Sequence, residues 1–223
     1  MQNTIVLFVF LITVIFYGCI TDNHKQVIVE DPDGYYTEKY FVIDDSIKDG
    51  VYLKFYSNGK LSDSCYYKND TIEGIKNIYS DKGYLEIQET YKNGVLEGDY
   101  TVFYPNGNIK IKQTFHDNKL YGYSYGYYEN GVLKEKVYLE KGVENGDFEE
   151  YYKNGKIHWR GTYVDGENEQ DTLYEFDITG EIKRKLFCKK GVCSTVWTKE
   201  KGFIEKGSNI IISDKNLDIP TDY

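Results

Sequence analysis

Gly98-Asp99-Tyr100-Thr101-Val102-Phe103-Tyr104-Pro105-Asn106-Gly107 has a close copy later in the chain, Gly146-Asp147-Phe148-Glu149-Glu150-Tyr151-Tyr152-Lys153-Asn154-Gly155. Both stretches open on glycine, pass through adjacent aromatics and end in Asn-Gly. The opening glycines belong to a column, Gly50, Gly74, Gly98, Gly122 and Gly146, spaced 24 residues apart. The closing glycines form a second column, Gly59, Gly83, Gly107, Gly131 and Gly155, with Gly180 following one residue late. A fixed period of this length marks a repeat architecture, in which each unit buries its apolar surface against its neighbours.

The residue before the second glycine is Asn at Asn58, Asn106, Asn130 and Asn154. Asn-Gly between apolar runs is the strongest short-range hairpin signal and predicts a type I′ turn, whose two central residues take positive φ. A looser turn follows at Lys68-Asn69-Asp70, Lys92-Asn93-Gly94, Asp117-Asn118, Lys141-Gly142, Asp165-Gly166 and Lys189-Lys190-Gly191. Four residues before the turn glycine stand Phe55, Tyr79, Phe103, Tyr127, Tyr151 and Phe176, an all-aromatic column assigned to the core. Leu61, Leu85, Ile109, Leu133, Ile157 and Ile182 stand two after it; Tyr67, Tyr91, Phe115, Leu139, Tyr163 and Cys188 stand eight after. Their even separation predicts one shared strand face. The expected fold is all-β: an elongated single antiparallel β-meander built from two-strand hairpin repeats of about 24 residues.

Composition agrees. The 223 residues include 24 Tyr and 11 Phe and no Ala, which disfavours a helical bundle. Lys+Arg is 27 against 36 Asp+Glu, a net charge of −9, the wrong balance for a nucleic-acid binder. The mean hydropathy of −0.58 excludes a polytopic membrane protein.

Four segments are expected. Residues 1–18 read as a lipoprotein signal peptide: Ile5 to Phe16 is apolar save Thr13, too short to span a bilayer. Phe16-Tyr17-Gly18-Cys19 resembles a bacterial lipobox, making Cys19 the lipidated first residue of the mature chain, although no Lys or Arg precedes the apolar run. Residues 19–33 read as a linker with a short strand at Val27-Ile28-Val29, and 34–193 as a half unit opened by Gly34, with Phe41 in its apolar column, plus six units. Residues 194–223 break the period; Trp197, Phe203 and Ile210-Ile211-Ile212 are candidates for a capping hairpin.

The unit G-x-Y-x-x-Y-Y-x-N-G-x-L/I is similar to the MORN-variant repeat, and in particular to YwqK-type proteins of the antitoxin kind. That resemblance covers Gly50 to Cys193. It implies a meander of hairpins acting as a non-catalytic protein-interaction scaffold. With the lipobox, the expected place is the cell envelope, membrane-anchored and facing periplasm or exterior, with another protein, a toxin being one candidate, as partner. An envelope glycan-binding or purely structural repeat lipoprotein is the alternative, because exposed aromatic rows also stack on sugars.

Motifs for chemistry are thin. Gly122-Tyr123-Ser124-Tyr125-Gly126 has the G-x-S-x-G spacing but falls on the repeat beat rather than a strand-to-helix elbow. His24, His116 and His158 lie in separate segments with no metal-ligand spacing. No catalytic residue, metal or cofactor is therefore expected. Cys188 and Cys193 flank the last looser turn as candidate disulfide partners in an oxidising compartment, leaving Cys65 over. Three before the turn glycine stand Tyr56, Ser80, Tyr104, Tyr128, Tyr152 and Asp177. Alternation from the core column sends them to the opposite face, and Tyr56, Tyr104, Tyr128 and Tyr152 form a candidate partner-binding row. The competing reading is that they stabilise the sheet.

Overall fold

A computed structural model describes residues 23–166 and 168–204. The leader, the lipobox with Cys19, and the Ile210–Ile212 run lie outside the described residues. All regular structure within them is β, in one sheet.

The strands run in chain order: β1 (Lys25–Glu30), β2 (Tyr36–Ile43), β3 (Ile47–Lys48), β4 (Gly50–Tyr56), β5 (Leu61–Lys68), β6 (Thr71–Ile72), β7 (Gly74–Tyr79), β8 (Leu85–Lys92), β9 (Val95–Phe103) and β10 (Ile109–His116). They continue with β11 (Lys119–Leu120), β12 (Gly122–Tyr127), β13 (Leu133–Glu140), β14 (Val143–Tyr151), β15 (Ile157–Tyr163), β16 (Glu169–Phe176), β17 (Ile182–Lys189), β18 (Val192–Thr198) and β19 (Gly202–Phe203). Every pairing is antiparallel and joins chain neighbours, as in β4–β5, β5–β7 and β7–β8. The sheet is open: an elongated meander of strand pairs that reaches beyond the repeats to β1 at one edge and β19 at the other.

The opening glycine of each unit is a bulge. Gly50, Gly98 and Gly146 have φ of 118°, 116° and 137°, values that a side chain would strain. The short β3, β6 and β11 are the first residues of strands that step in register at this glycine and resume as β4, β7 and β12. A bulge of this kind bends a strand and increases its twist.

The two turn types are exchanged relative to expectation. Asn58, Asn106, Asn130 and Asn154 are not among the residues with positive φ; only the following glycine is, as at Gly59 with φ 79°. Gly59 N–H donates to Tyr56 C=O at 2.9 Å, and Tyr56 N–H donates to Lys60 C=O at 2.8 Å. This is a type I turn closed by a left-handed glycine, a three-residue hairpin loop. The same bonds recur at Tyr104, Tyr128 and Tyr152. Type I′ geometry belongs instead to the looser turns, where consecutive residues have positive φ: Asn69 and Asp70 at 49° and 61°, Asn93 and Gly94 at 51° and 75°, Lys141 and Gly142 at 55° and 84°. Asn before the turn glycine is there for its side-chain amide: Asn58 Oδ1 accepts from Lys60 N–H at 3.0 Å, and Asn154 Oδ1 from Lys156 N–H at 3.0 Å.

A second register step separates the apolar columns. Phe55 pairs with Leu61, Tyr79 with Leu85 and Tyr151 with Ile157, whereas Tyr52 pairs with Cys65 and Gly50 with Tyr67. The step falls between Lys54 and Phe55, so the Leu61 and Tyr67 columns lie on opposite faces despite their even separation. A single-layer sheet thus carries apolar strips on both faces, and of the expected aromatic spine only Phe176 is buried, the others being half-buried. Tighter packing lies on the face of Tyr67, which we call the first face. There Phe148, Leu173 and Cys188 form a buried cluster with Val137, Trp159, Tyr163 and Leu186 against it. Phe148 and Tyr163 stack with ring centroids 4.0 Å apart. In the opening half unit, Val42 is the buried residue at 3% exposure, in place of Phe41, whose Cβ lies 3.2 Å from the point a Gly50 Cβ would occupy.

Candidate interaction surfaces

The tyrosine row sits along the rim formed by the Asn-Gly loops. Tyr56, Tyr104, Tyr128 and Tyr152 are half-buried rather than exposed, and each hydroxyl is committed. Tyr56 OH donates to Tyr79 C=O at 2.6 Å, Tyr104 OH to Tyr127 C=O at 2.8 Å, Tyr128 OH to Tyr151 C=O at 2.7 Å and Tyr152 OH to Phe176 C=O at 2.9 Å. Each bond crosses from one repeat to the next. Side-chain amides add a parallel ladder: Asn58, Asn106 and Asn154 donate through Nδ2 to Asp81, Glu129 and Ile178 C=O at 2.9, 3.1 and 3.0 Å. What remains open on this rim is ring surface. Lys110 Nζ lies 5.9 Å from the Tyr104 ring centroid, Lys153 Nζ 5.8 Å from that of Tyr128, and the His158 ring 4.2 Å from that of Tyr152. Where the column holds Ser80, its Oγ accepts from Tyr84 N–H within its own turn; where it holds Asp177, Oδ1 accepts from Thr179 and Glu181 N–H.

The opposite rim is stitched through backbone. Asp70, Gly94, Asn118, Gly142, Gly166 and Gly191 each donate N–H to a carbonyl of the preceding unit, from Lys48, Ile72, Leu96, Leu120, Glu144 and Glu169, at 2.8–3.1 Å. The carboxylates of Asp49, Glu73 and Glu97, one residue before the beat glycine, take a second N–H from the same turns, from Asn69, Asn93 and Asp117. His24 caps the first of these, Nε2 to Asp49 Oδ1 at 2.9 Å, and that bond foremost holds the Asp49 carboxyl below its ordinary range.

The second face carries a continuous row of paired residues across eight strands: Lys112, Tyr125, Lys136, Glu149, Arg160, Tyr174, Lys185 and Trp197. Neighbours in such a row face one another at contact distance. Lys136 Nζ lies 4.2 Å from the Tyr123 ring centroid, and Arg160 pairs with Glu149 at 3.3 Å. Lys185 is buried, and desolvation holds its ammonium below the usual range; its Nζ lies 5.3 Å from the Trp197 ring centroid. Beside this row runs an open groove of about 490 Å³, lined by Tyr123, Lys136, Asp147, Glu149, Arg160, Thr162, Thr172 and Tyr174. The row was not legible in sequence, because the bulges shift which positions align across strands.

The chemistry-bearing motifs remain apart. Ser124 lies within β12, and Gln113 Nε2 bonds its Oγ at 2.9 Å, so no nucleophile elbow exists there. His116 pairs with Glu97, and the His158 ring lies tilted against those of Tyr152 and Trp159, with centroids 4.2 and 5.4 Å away. Among the described residues no group of three or more His, Cys, Asp or Glu could hold a metal ion. Cys188 and Cys193 are paired across β17 and β18 and joined by a disulfide. Cys65 is a buried thiol, pushed up to about 11 by desolvation.

Residues 48–69, 96–117, 120–141 and 144–165 match the family described as MORN repeat variant. The chain carries a MORN-variant repeat region. Each matched segment begins at the residue whose carbonyl stitches the type I′ rim and ends at the first left-handed residue of that turn. The unmatched second unit is the one with Ser80 for Tyr and Lys82 for Asn, and so lacks both side-chain stitches of the opposite rim. A search of curated proteins found no match to the chain. The MORN-variant meander, with its candidate nucleophile and histidines dispersed, is consistent with a non-enzymatic interaction module.

Proposed function

We propose that this protein is a lipid-anchored interaction scaffold of the bacterial envelope, of the antitoxin or immunity kind, which captures another protein on the second face of its repeat sheet. The observation that carries the reading is the stitching of both rims. Hydrogen bonds between successive turns hold the repeats as one plate, leaving the faces and the tyrosine rings as contact surface. A preorganised surface loses little conformational entropy when a partner docks. The accessible part of the row on the second face sets three cations, Lys112, Lys136 and Arg160, against one carboxylate, Glu149, in a chain of net charge −9, while Lys185 is buried beneath it. It suits a partner that presents acidic side chains around an apolar centre, with Tyr125, Tyr174 and Trp197 supplying rigid aromatic area. Cys19 supplies the tether, and the ring surfaces of Tyr104, Tyr128 and Tyr152 extend the contact along the rim.

Crosslinking in intact cells followed by mass spectrometry tests the scaffold. The expected result is a discrete protein partner whose capture weakens in Lys136→Glu, a variant of a half-buried groove residue. Capture unchanged by Lys136→Glu would remove the second face from the reading. Cys19→Ala should release the chain from membranes and abolish acyl labelling; a chain that stays in the membrane fraction without acyl groups would overturn the lipid anchor.

A further inference from the structure

The first strand of the sheet has an open side. Among the described residues β1 pairs with β2 alone. Asp31 N–H donates to Tyr36 C=O at 3.0 Å, and the register continues as Val29↔Glu38, Val27↔Tyr40 and Lys25↔Val42. Antiparallel ladders bond every second residue to the same neighbour. Lys25, Val27 and Val29 therefore bond inward, while Gln26, Ile28 and Glu30 direct their N–H and C=O away from the sheet. The strand is exposed along almost its whole length, with Ile28 at 55% and Val29 at 37%. An unpaired, six-residue edge with an apolar centre, Val27-Ile28-Val29, is a template for another strand.

We propose that this edge is a dimerisation strand, and that its occupant is β1 of a second copy, antiparallel and centred on Ile28. A two-fold axis normal to the sheet keeps each side chain on its own face, so only residues of equal parity can face one another. Centring on Ile28 sets Ile28 against Ile28 of the second copy and Gln26 against its Glu30. All three outward residues of each chain then donate and accept at once. The flanking positions place Val27 against Val29 and Lys25 against Asp31, an opposite-charge pair at each end of the junction. Centring on Val27 would instead set Lys25 against Val29 and leave Glu30 facing His24. Pairing of β1 with the far edge of another molecule is less favourable, because among the described residues β19 offers only two. The result is one continuous sheet with twice the repeat surface.

The test is the mass of the purified full chain in detergent by sedimentation equilibrium, with hydrogen exchange read at single amides. The expected mass is two chains, with the Gln26, Ile28 and Glu30 amides protected. Ile28→Pro removes an outward N–H and leaves the inward bonds of Val27 and Val29; the expected mass is one chain, with those protections lost. Ile28→Lys, which keeps its N–H but sets two ammonium groups face to face, should do the same. Retained circular dichroism would show that the sheet survives in both variants. A monomeric native chain, an assembly unchanged by both variants, or protection of these amides by a strand of another protein would each overturn the proposal.

Discussion

The Tyr128 hydroxyl donates a 2.7 Å hydrogen bond to the main-chain carbonyl of Tyr151, 23 residues further on, in the next repeat. Tyr56, Tyr104 and Tyr152 make the same bond. Of the two readings open to this row in sequence, partner contact and sheet stabilisation, the hydroxyls take the second, clamping one repeat to the next. Tyr128→Phe should cost about 1 kcal/mol, the net worth of one intramolecular hydrogen bond, because the ring packing is kept. Tyr104→Phe with Tyr128→Phe should cost about twice that, since the two bonds span different junctions. Tyr66→Phe, on a residue 45% exposed, should leave the urea midpoint unchanged. Equal midpoints for all three variants would show that the rim bonds contribute nothing measurable.

The exchange of turn types makes a directional prediction. Lys141 stands at φ 55° as the first central residue of a type I′ turn, a position that favours Asn or Gly. Lys141→Asn should stabilise the protein by roughly 0.5–1 kcal/mol. Asn154→Asp should do the reverse. It keeps the acceptor for Lys156 N–H but loses the donor to Ile178 C=O, and leaves carboxylate against carbonyl. Chemical denaturation reads both signs; stabilisation by Asn154→Asp would refute the amide-bridge account.

These residues show what sequence made legible. The 24-residue period, the strand count per unit and the all-β class follow from glycine spacing and aromatic columns, because backbone curvature and cross-strand pairing both demand regularity. The faces did not follow. Alternation carries a pattern only as far as the next bulge, and each unit has a register step at the beat glycine and another beside the Asn-Gly loop. Tyr128 was placed by parity on an open face, whereas the type I loop brings its hydroxyl over the next repeat. The Lys112–Trp197 row is assembled from strands whose offsets those bulges set, so no single-strand pattern could reveal it.

Glu97 and His116 give a pH prediction. Their side chains meet at 2.8 Å, which holds His116 above its ordinary 6.5; the Asp117 N–H foremost, then His116, holds Glu97 below its ordinary 4.5. The contribution of the raised imidazole is fully present below 6.5 and is lost as pH rises through its higher folded value. That of the depressed carboxylate is present above 4.5 and is lost as pH falls through its lower folded value. The pair therefore acts most strongly between these limits. His116 is exposed and Glu97 partly so, and added salt should weaken the pair. An NMR titration should find the His116 midpoint above that of a free histidine and move it back toward the ordinary value in Glu97→Gln, with Asp117 still raising it. An unchanged midpoint in that variant would show that Glu97 does not perturb it.

Gly161 tests the packed cluster. It has no need of positive φ, yet a Cβ there would lie 2.8 Å from Phe148 Cε1 and 2.9 Å from Leu173 Cδ1. Both neighbours are core side chains, 5% and 7% exposed, and cannot swing aside. Gly161→Ala should therefore cost about 1–3 kcal/mol, the usual penalty of overpacking. Gly126 is the informative comparison. Its Cβ would meet Glu135 Oε1 at 2.5 Å, but that side chain is half exposed and can rotate into solvent. Gly126→Ala should lose well under half of what Gly161→Ala loses. Trimming the obstacle in Gly161→Ala/Leu173→Val should recover part of the loss, although Leu173→Val alone destabilises by removing a buried methylene. Urea midpoints of the four proteins decide it. Additive losses in the double variant would mean that the new methyl group does not meet Leu173, and the buried cluster would then lie elsewhere on the sheet.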